Sequence, residues 1–155
     1  MVVLGIDPGF GSIGYGIVRV KGGDVRALDY GCFTTPSGLS FPKRLMLIYE
    51  KVIEFVATYQ PSRIAIEKLF FEKNTKTAID VSQARGVILL AAALSGLPII
   101  ECTPLQVKLA VTGYGKAEKR QVQHMMKLLL NLPSLPRQDD AADALAIAYC
   151  GAFMC

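Results

Sequence analysis

The first 35 residues carry apolar positions at strand spacing. VVLGID at 2–7 is a short apolar run that closes on an acid. GSIGYGIVRV at 11–20 and DVRALDYGCFTT at 24–35 are two further strand-like runs joined at Gly22-Gly23, which predicts a three-stranded antiparallel meander. The period then changes. Between Ser40 and Gln60, apolar residues recur at Leu45, Ile48, Val52, Phe55, Val56 and Tyr59, the spacing of one helical face. Ser40 suits a cap, and Pro61 stops the helix. RIAIE at 63–67 reads as a strand that again ends in an acid, followed by a helix from about 74 to 95 with Gly96 just beyond it. LPIIE at 97–101 is a further strand. Thr103-Pro104 then reads as a cap and first-turn proline. Val122, Met125, Met126, Leu129 and Leu130 form an apolar stripe over 118–130, and a last helix starts near Gln138 after Pro133 and Pro136.

The predicted order is β-β-β-α-β-α-β-α-α-α. Strands that alternate with helices pair in parallel and are covered by those helices, so the expectation is one α/β domain over 1–155, with a mixed five-stranded sheet flanked by helices. The segment VSQARGVILLAAALSG at 81–96 is apolar round most of a helical circumference, and such a helix needs cover on two sides.

Composition narrows the class. With 52% apolar and 19% charged residues among 155, the chain is globular rather than disordered. Its four cysteines form no CxxC pair, which argues against a zinc site or a disulfide frame. His124 is the sole histidine, which makes a Ser-His-Asp mechanism unattractive, and it falls on the polar side of its helix. The N-terminus lacks the basic region of a signal peptide. The longest nearly uncharged run, 86–100, is interrupted by Gly96 and Pro98 and falls short of the ~20 residues of a membrane span. A cytoplasmic protein with no membrane partner is expected.

Acids carry the candidate chemistry. Asp7 and Glu67 end two strands, and ligand sites in α/β sheets lie off the carboxyl ends of parallel strands. Asp140 and Asp143, three apart, share one side of the last helix. If that helix docks at the same sheet edge, four carboxylates converge, and such crowding is relieved by cations. Oxygen donors without histidine or thiolate select Mg²⁺ or Mn²⁺. Spacing alone leaves the ordinary alternative open, since acids after strands cap turns and acids in a first helical turn complement its dipole. Asp139 could replace Asp140 geometrically, but a capping role suits it better. Gly9, Gly11 and Gly14 are expected to let the first two strands turn tightly.

GIDPG at 5–9, AIEKLFFEKN at 65–74, QARGV at 83–87, QVK at 106–108, AEKRQVQHM at 117–125 and DAADALAIA at 140–148 together resemble the RuvC family of bacterial Holliday junction resolvases, in order and spacing, over nearly the whole chain. The resemblance implies the ribonuclease H-like fold and carries the family's catalytic carboxylates onto Asp7, Glu67, Asp140 and Asp143. It implies two Mg²⁺ ions per subunit (Mn²⁺ may stand in) and a homodimer making paired nicks across four-way junction DNA. Partnership with a branch-migration helicase of the RuvA and RuvB type is implied as well. Lys68 departs from the Gln or Glu common at its position, Asp139 is an additional acid, and the chain ends soon after the last helix.

The family's basic residues near the scissile phosphate correspond to Lys108 and Lys119. Lys116 and Arg120 are expected to contact the DNA backbone, and Lys73, Asn74 and Lys76 suit phosphates at a helix start. Phe70 and Phe71 are adjacent, so both cannot face one core. Family position makes Phe70 the wedge at the junction crossover. Setting the four acids aside leaves 9 acids against 17 bases, a much more basic surface than the formal +4 suggests. The competing functions are a related nuclease on another branched nucleic acid and a non-catalytic junction-binding dimer.

Overall fold

A computed structural model describes residues 1–68 and 75–154. Phe70, Lys73 and Asn74, with the expectations attached to them, lie outside the described residues. Lys76 is described by its backbone alone, in the first turn of a helix.

Strands β1 (Val2–Asp7), β2 (Ser12–Lys21) and β3 (Asp24–Thr34) lead into helix α1 (Phe41–Tyr59). Then follow β4 (Arg63–Glu67), α2 (Thr75–Leu94), β5 (Ile99–Cys102), α3 (Pro104–Thr112), α4 (Lys119–Leu129) and α5 (Asp139–Phe153). The order expected from periodicity is the order found. The five strands lie as β3-β2-β1-β4-β5, antiparallel across β3-β2-β1 and parallel across β1-β4-β5. Gly22 and Gly23 both have positive φ at the β2–β3 turn, as a tight hairpin requires.

Side-chain alternation divides the sheet into two faces. Leu4, Ile6, Ile13, Ile17, Ile64 and Ile66 point to one face, where they pack with Ile48, Val52 and Phe55 of α1 and Ala84, Ile88, Ala91 and Ala92 of α2. Val3, Val18, Ala65 and Cys102 point to the other, under α3, α4 and α5. The alternation also decides where the strand-ending acids go. Asp7 follows Ile6 and Glu67 follows Ile66, so both stand on the α5 face.

Helix α5 covers that face closely because the strands beneath it lack side chains. Gly16, Gly5 and Ala65 are register neighbours across β2, β1 and β4. A Cβ on Gly5 would overlap Ala144 and Ala148, one on Gly16 would overlap Leu145, and Gly151 has no room for a Cβ beside Ala65. This row of small residues lets the helix backbone approach the sheet.

By length and composition α2 is apolar enough over Thr77–Leu94 to cross a bilayer, a property that core helices share. Its apolar character has another use in this fold. Ala84, Ile88, Ala91 and Ala92 are buried against the sheet and α1, and Arg85 ion-pairs with Glu101 of β5.

Candidate active site at the carboxyl ends of β1 and β4

Parallel pairing of Ile6 with Ile66 sets Asp7 and Glu67, each one residue further on, at the same sheet edge. Helix α5 begins above them. Its Ncap is Gln138, whose side chain makes no cap hydrogen bond, so Asp139 is the first helical residue rather than the expected cap. The Asp139 carboxylate instead accepts from Gln123 Nε2 at 3.0 Å and lies 3.4 Å from Lys119 Nζ. Asp140 sits over β2, where Ser12 Oγ donates to its Oδ2 at 3.1 Å. Asp143, one turn on, accepts from Lys119 Nζ at 2.9 Å.

The four acids share one electrostatic environment. Burial pushes the Asp7 carboxyl up, and the charges of Glu67, Asp143 and Asp140 push it further, to about 7, with Lys119 pulling the other way. Glu67 is raised by burial and then by Asp143, again opposed by Lys119. Burial pulls the Lys119 ammonium down, but its hydrogen bonds and charge pairing with Asp143 and Asp139 outweigh that and hold it above its ordinary value. Among the described residues, no group of three or more acids, histidines or cysteines stands close enough to hold a metal ion as placed. Ser12 and Lys119 account for the orientations of Asp140 and Asp143, each holding one carboxylate oxygen.

Lys108 of α3 and Lys119 of α4 line a cleft of about 200 Å³ together with Glu67, Asp143 and Val107. Thr103 caps α3 by a reciprocal capping box with Gln106, and Pro104 occupies its first turn as expected. Lys116 is exposed in the α3–α4 connection. Arg120 faces away from the acids, into a separate cleft of about 480 Å³ shared with Tyr114 and the exposed His124.

Two features escaped sequence reasoning. Gly14 was assigned to a turn, yet it lies inside β2 opposite Asp7, and a Cβ there would overlap the Asp140 carbonyl. Ser12, the partner of Asp140, is 128 positions away in the chain and carried no signal. Gly9 does serve the tight turn expected of it, since a Cβ there would overlap the Ser12 carbonyl.

Residues 3–151 match the profile of the family described as crossover junction endodeoxyribonuclease RuvC. The chain belongs to that family. It is 52% identical over 152 residues to the crossover junction endodeoxyribonuclease RuvC of Desulfitobacterium hafniense, covering 98% of this chain and 92% of that one. The Thermus thermophilus RuvC structure superposes with a TM-score of 0.92 at 37% identity, covering 99% of this chain and 94% of that one. The T. thermophilus RuvC in complex with Holliday junction substrate gives a TM-score of 0.94 at 38% identity, with 99% and 93% covered. The fold is therefore the ribonuclease H-like one, with its mixed five-stranded sheet.

Proposed function

We propose that this chain is a structure-selective endonuclease that resolves Holliday junctions by paired, symmetric phosphodiester hydrolysis, with Asp7, Glu67, Asp140 and Asp143 as its metal ligands. The observation that supports this reading is the electrostatic coupling of Asp7 to Glu67, Asp143 and Asp140 in a chain that belongs to the RuvC family. Burial first, and then these three charges, raise Asp7 to about 7.

The donor set fits a hard divalent cation. Four carboxylates supply oxygen only, and the burial and mutual repulsion that lift Asp7 and Glu67 are what Mg²⁺ or Mn²⁺ would offset. Two such ions per subunit would supply an activated water and relief of charge on the leaving oxygen. The protein's own part is positional. Asp7 and Glu67 are fixed by parallel strands, Asp140 by Ser12, and Asp143 by Lys119. Lys119 and Lys108, both lining the cleft, offset negative charge that builds on the phosphate during cleavage. Lys116 and Arg120 meet the DNA backbone, with Lys73, Asn74 and Lys76 beyond β4, and Phe70 stacks at the crossover.

Paired nicks require two sites, and α2 offers the surface for a second copy. Ile79, Leu90 and Leu94 are 61%, 54% and 66% exposed along it, and Met46 of α1 is 53% exposed. A homodimer through this face, working in the cytoplasm with a RuvA- and RuvB-type branch-migration helicase, completes the reading.

The test incubates the protein with a four-way junction, a matched linear duplex and an RNA–DNA hybrid, each with Mg²⁺ or EDTA. Symmetric nicks on the junction alone, lost in EDTA, are expected. Cleavage of the other substrates would point to a different branched-nucleic-acid nuclease, and binding without metal-dependent cutting would leave a non-catalytic junction binder.

A further inference from the structure

Three sulfur atoms meet beneath the C-terminal end of α5, none of them used in the chemistry assigned above. Cys102 Sγ lies 3.7 Å from Met154 Sδ, and Cys150 Sγ lies 3.5 Å from the same atom. Cys102 ends β5, Cys150 lies in the last turn of α5, and Met154 is that helix's C-cap. Both cysteines are unpaired and almost fully buried, among apolar residues. Met154 is partly exposed and opens the cluster toward the surface.

We infer that Cys102, Cys150 and Met154 form a binding site for a soft, thiophilic metal ion of the Cu(I) class. Thiolates and a thioether are the donors that select such ions. For metal–sulfur bonds of about 2.3 Å, three ligands in a plane around one ion stand about 4.0 Å apart. The two Cys–Met separations, 3.7 and 3.5 Å, already fall just inside that spacing. Oxygen donors are absent from the set, which separates it from the hard-ion chemistry of the four acids. Binding displaces the two thiol protons to solvent and leaves one net negative charge on a Cu(I) complex. The Arg63 guanidinium stands close to offset it, donating from Nη1 to the Met154 carbonyl at 2.8 Å and to the Gly151 carbonyl at 3.4 Å. Cys102 is the β5 register partner of Glu67, and Cys150 lies two turns beyond Asp143 on α5. An ion here would clasp the helix that carries two of the site acids to the strand beside a third.

The test is a competition titration of the intact protein, under anaerobic conditions, against Cu(I) held by bathocuproine disulfonate. It is run on the wild type and on a Cys32→Ser/Cys155→Ser variant that keeps the cluster. One Cu(I) per chain withdrawn from the chelator by both proteins is the expected result. X-ray absorption of the loaded variant should show three sulfur neighbours at about 2.3 Å. Cys150→Ala should abolish uptake. Met154→Leu, which keeps volume and so keeps the fold, should weaken it at least about tenfold. The site is overturned if the Cys32→Ser/Cys155→Ser variant takes up no copper, or if Met154→Leu binds as tightly as the wild type.

Discussion

Gly14 and Asp140 touch backbone to backbone across the β2–α5 interface, with no space for a side chain on the glycine. Gly14 is also the register partner of Asp7. A single contact therefore sets how far the first turn of α5 stands from the acid beneath it. Gly14→Ala should push that turn outward, lowering stability by about 1–3 kcal/mol, the usual range for overpacking, and cutting junction cleavage by more than stability alone explains. Gly38→Ala, at a position with open space around it, is the matched control. Thermal unfolding and single-turnover cleavage of both variants check this, and normal cleavage by Gly14→Ala would show that the close approach is dispensable.

The raised carboxyl of Asp7 makes stability depend on pH. Its folded value of about 7 lies above its ordinary 3.8, so between those values the native state holds a proton that the unfolded chain has lost. Stability from this group is full below 3.8, falls as pH rises through the window, and is lost above about 7. The upper limit of the effect is about 4 kcal/mol, trimmed by the partial exposure of the side chain. Asp7→Asn should accordingly raise the melting temperature at pH 8 in EDTA and have little effect near pH 4. Mg²⁺ should stabilise the wild type at pH 8 but not the variant, while the variant binds junctions at least as well and fails to cut them. Surviving cleavage would exclude Asp7 as a ligand.

Lys119 reaches two aspartates, and their roles separate by mutation. Lys119→Ala should lower the cleavage rate by about 10²-fold, in the range seen when a charge-stabilising donor is removed, with a smaller loss of junction affinity. Asp139→Ala removes a 3.4 Å ion pair and the Gln123 contact and should stay within a few-fold of wild-type activity. Loss equal to that of Asp140→Ala, measured in the same assay, would reassign the ligand.

Leu90→Glu places a charge in the exposed apolar stripe of α2. It should convert a dimer to monomers in analytical ultracentrifugation with the melting temperature of the monomer fold preserved. Paired nicking should fall with it. A dimer that survives this change uses another face.

The sequence disclosed the elements, and marked the four acids as candidates, because both are local signals. Apolar periodicity marks each strand and helix, and an acid at a strand end needs only its neighbours to be seen. The juxtapositions were less visible. Lys119 meets Asp143 across 24 positions and Ser12 meets Asp140 across 128, between elements whose docking depends on the whole fold. Gly14 looked like a turn residue because a glycine that admits a helix and a glycine that bends a chain are the same letter. Asp139 looked like a cap because caps are commonly acidic, but Gln138 precedes it in extended geometry and Gln123 and Lys119 claim its carboxylate. The sulfur cluster draws on residues 48 apart on a strand and a helix, with a methionine that no metal motif would flag.

Helix α5 sets Asp140 and Asp143 over the sheet edge where β1 and β4 end in Asp7 and Glu67. Two of the four proposed ligands therefore travel together on one rigid segment, and the other two on adjacent strands. A shift of α5 along the sheet would displace one pair against the other as a unit, so the spacing of the site is tied to how this helix seats rather than to any single side chain.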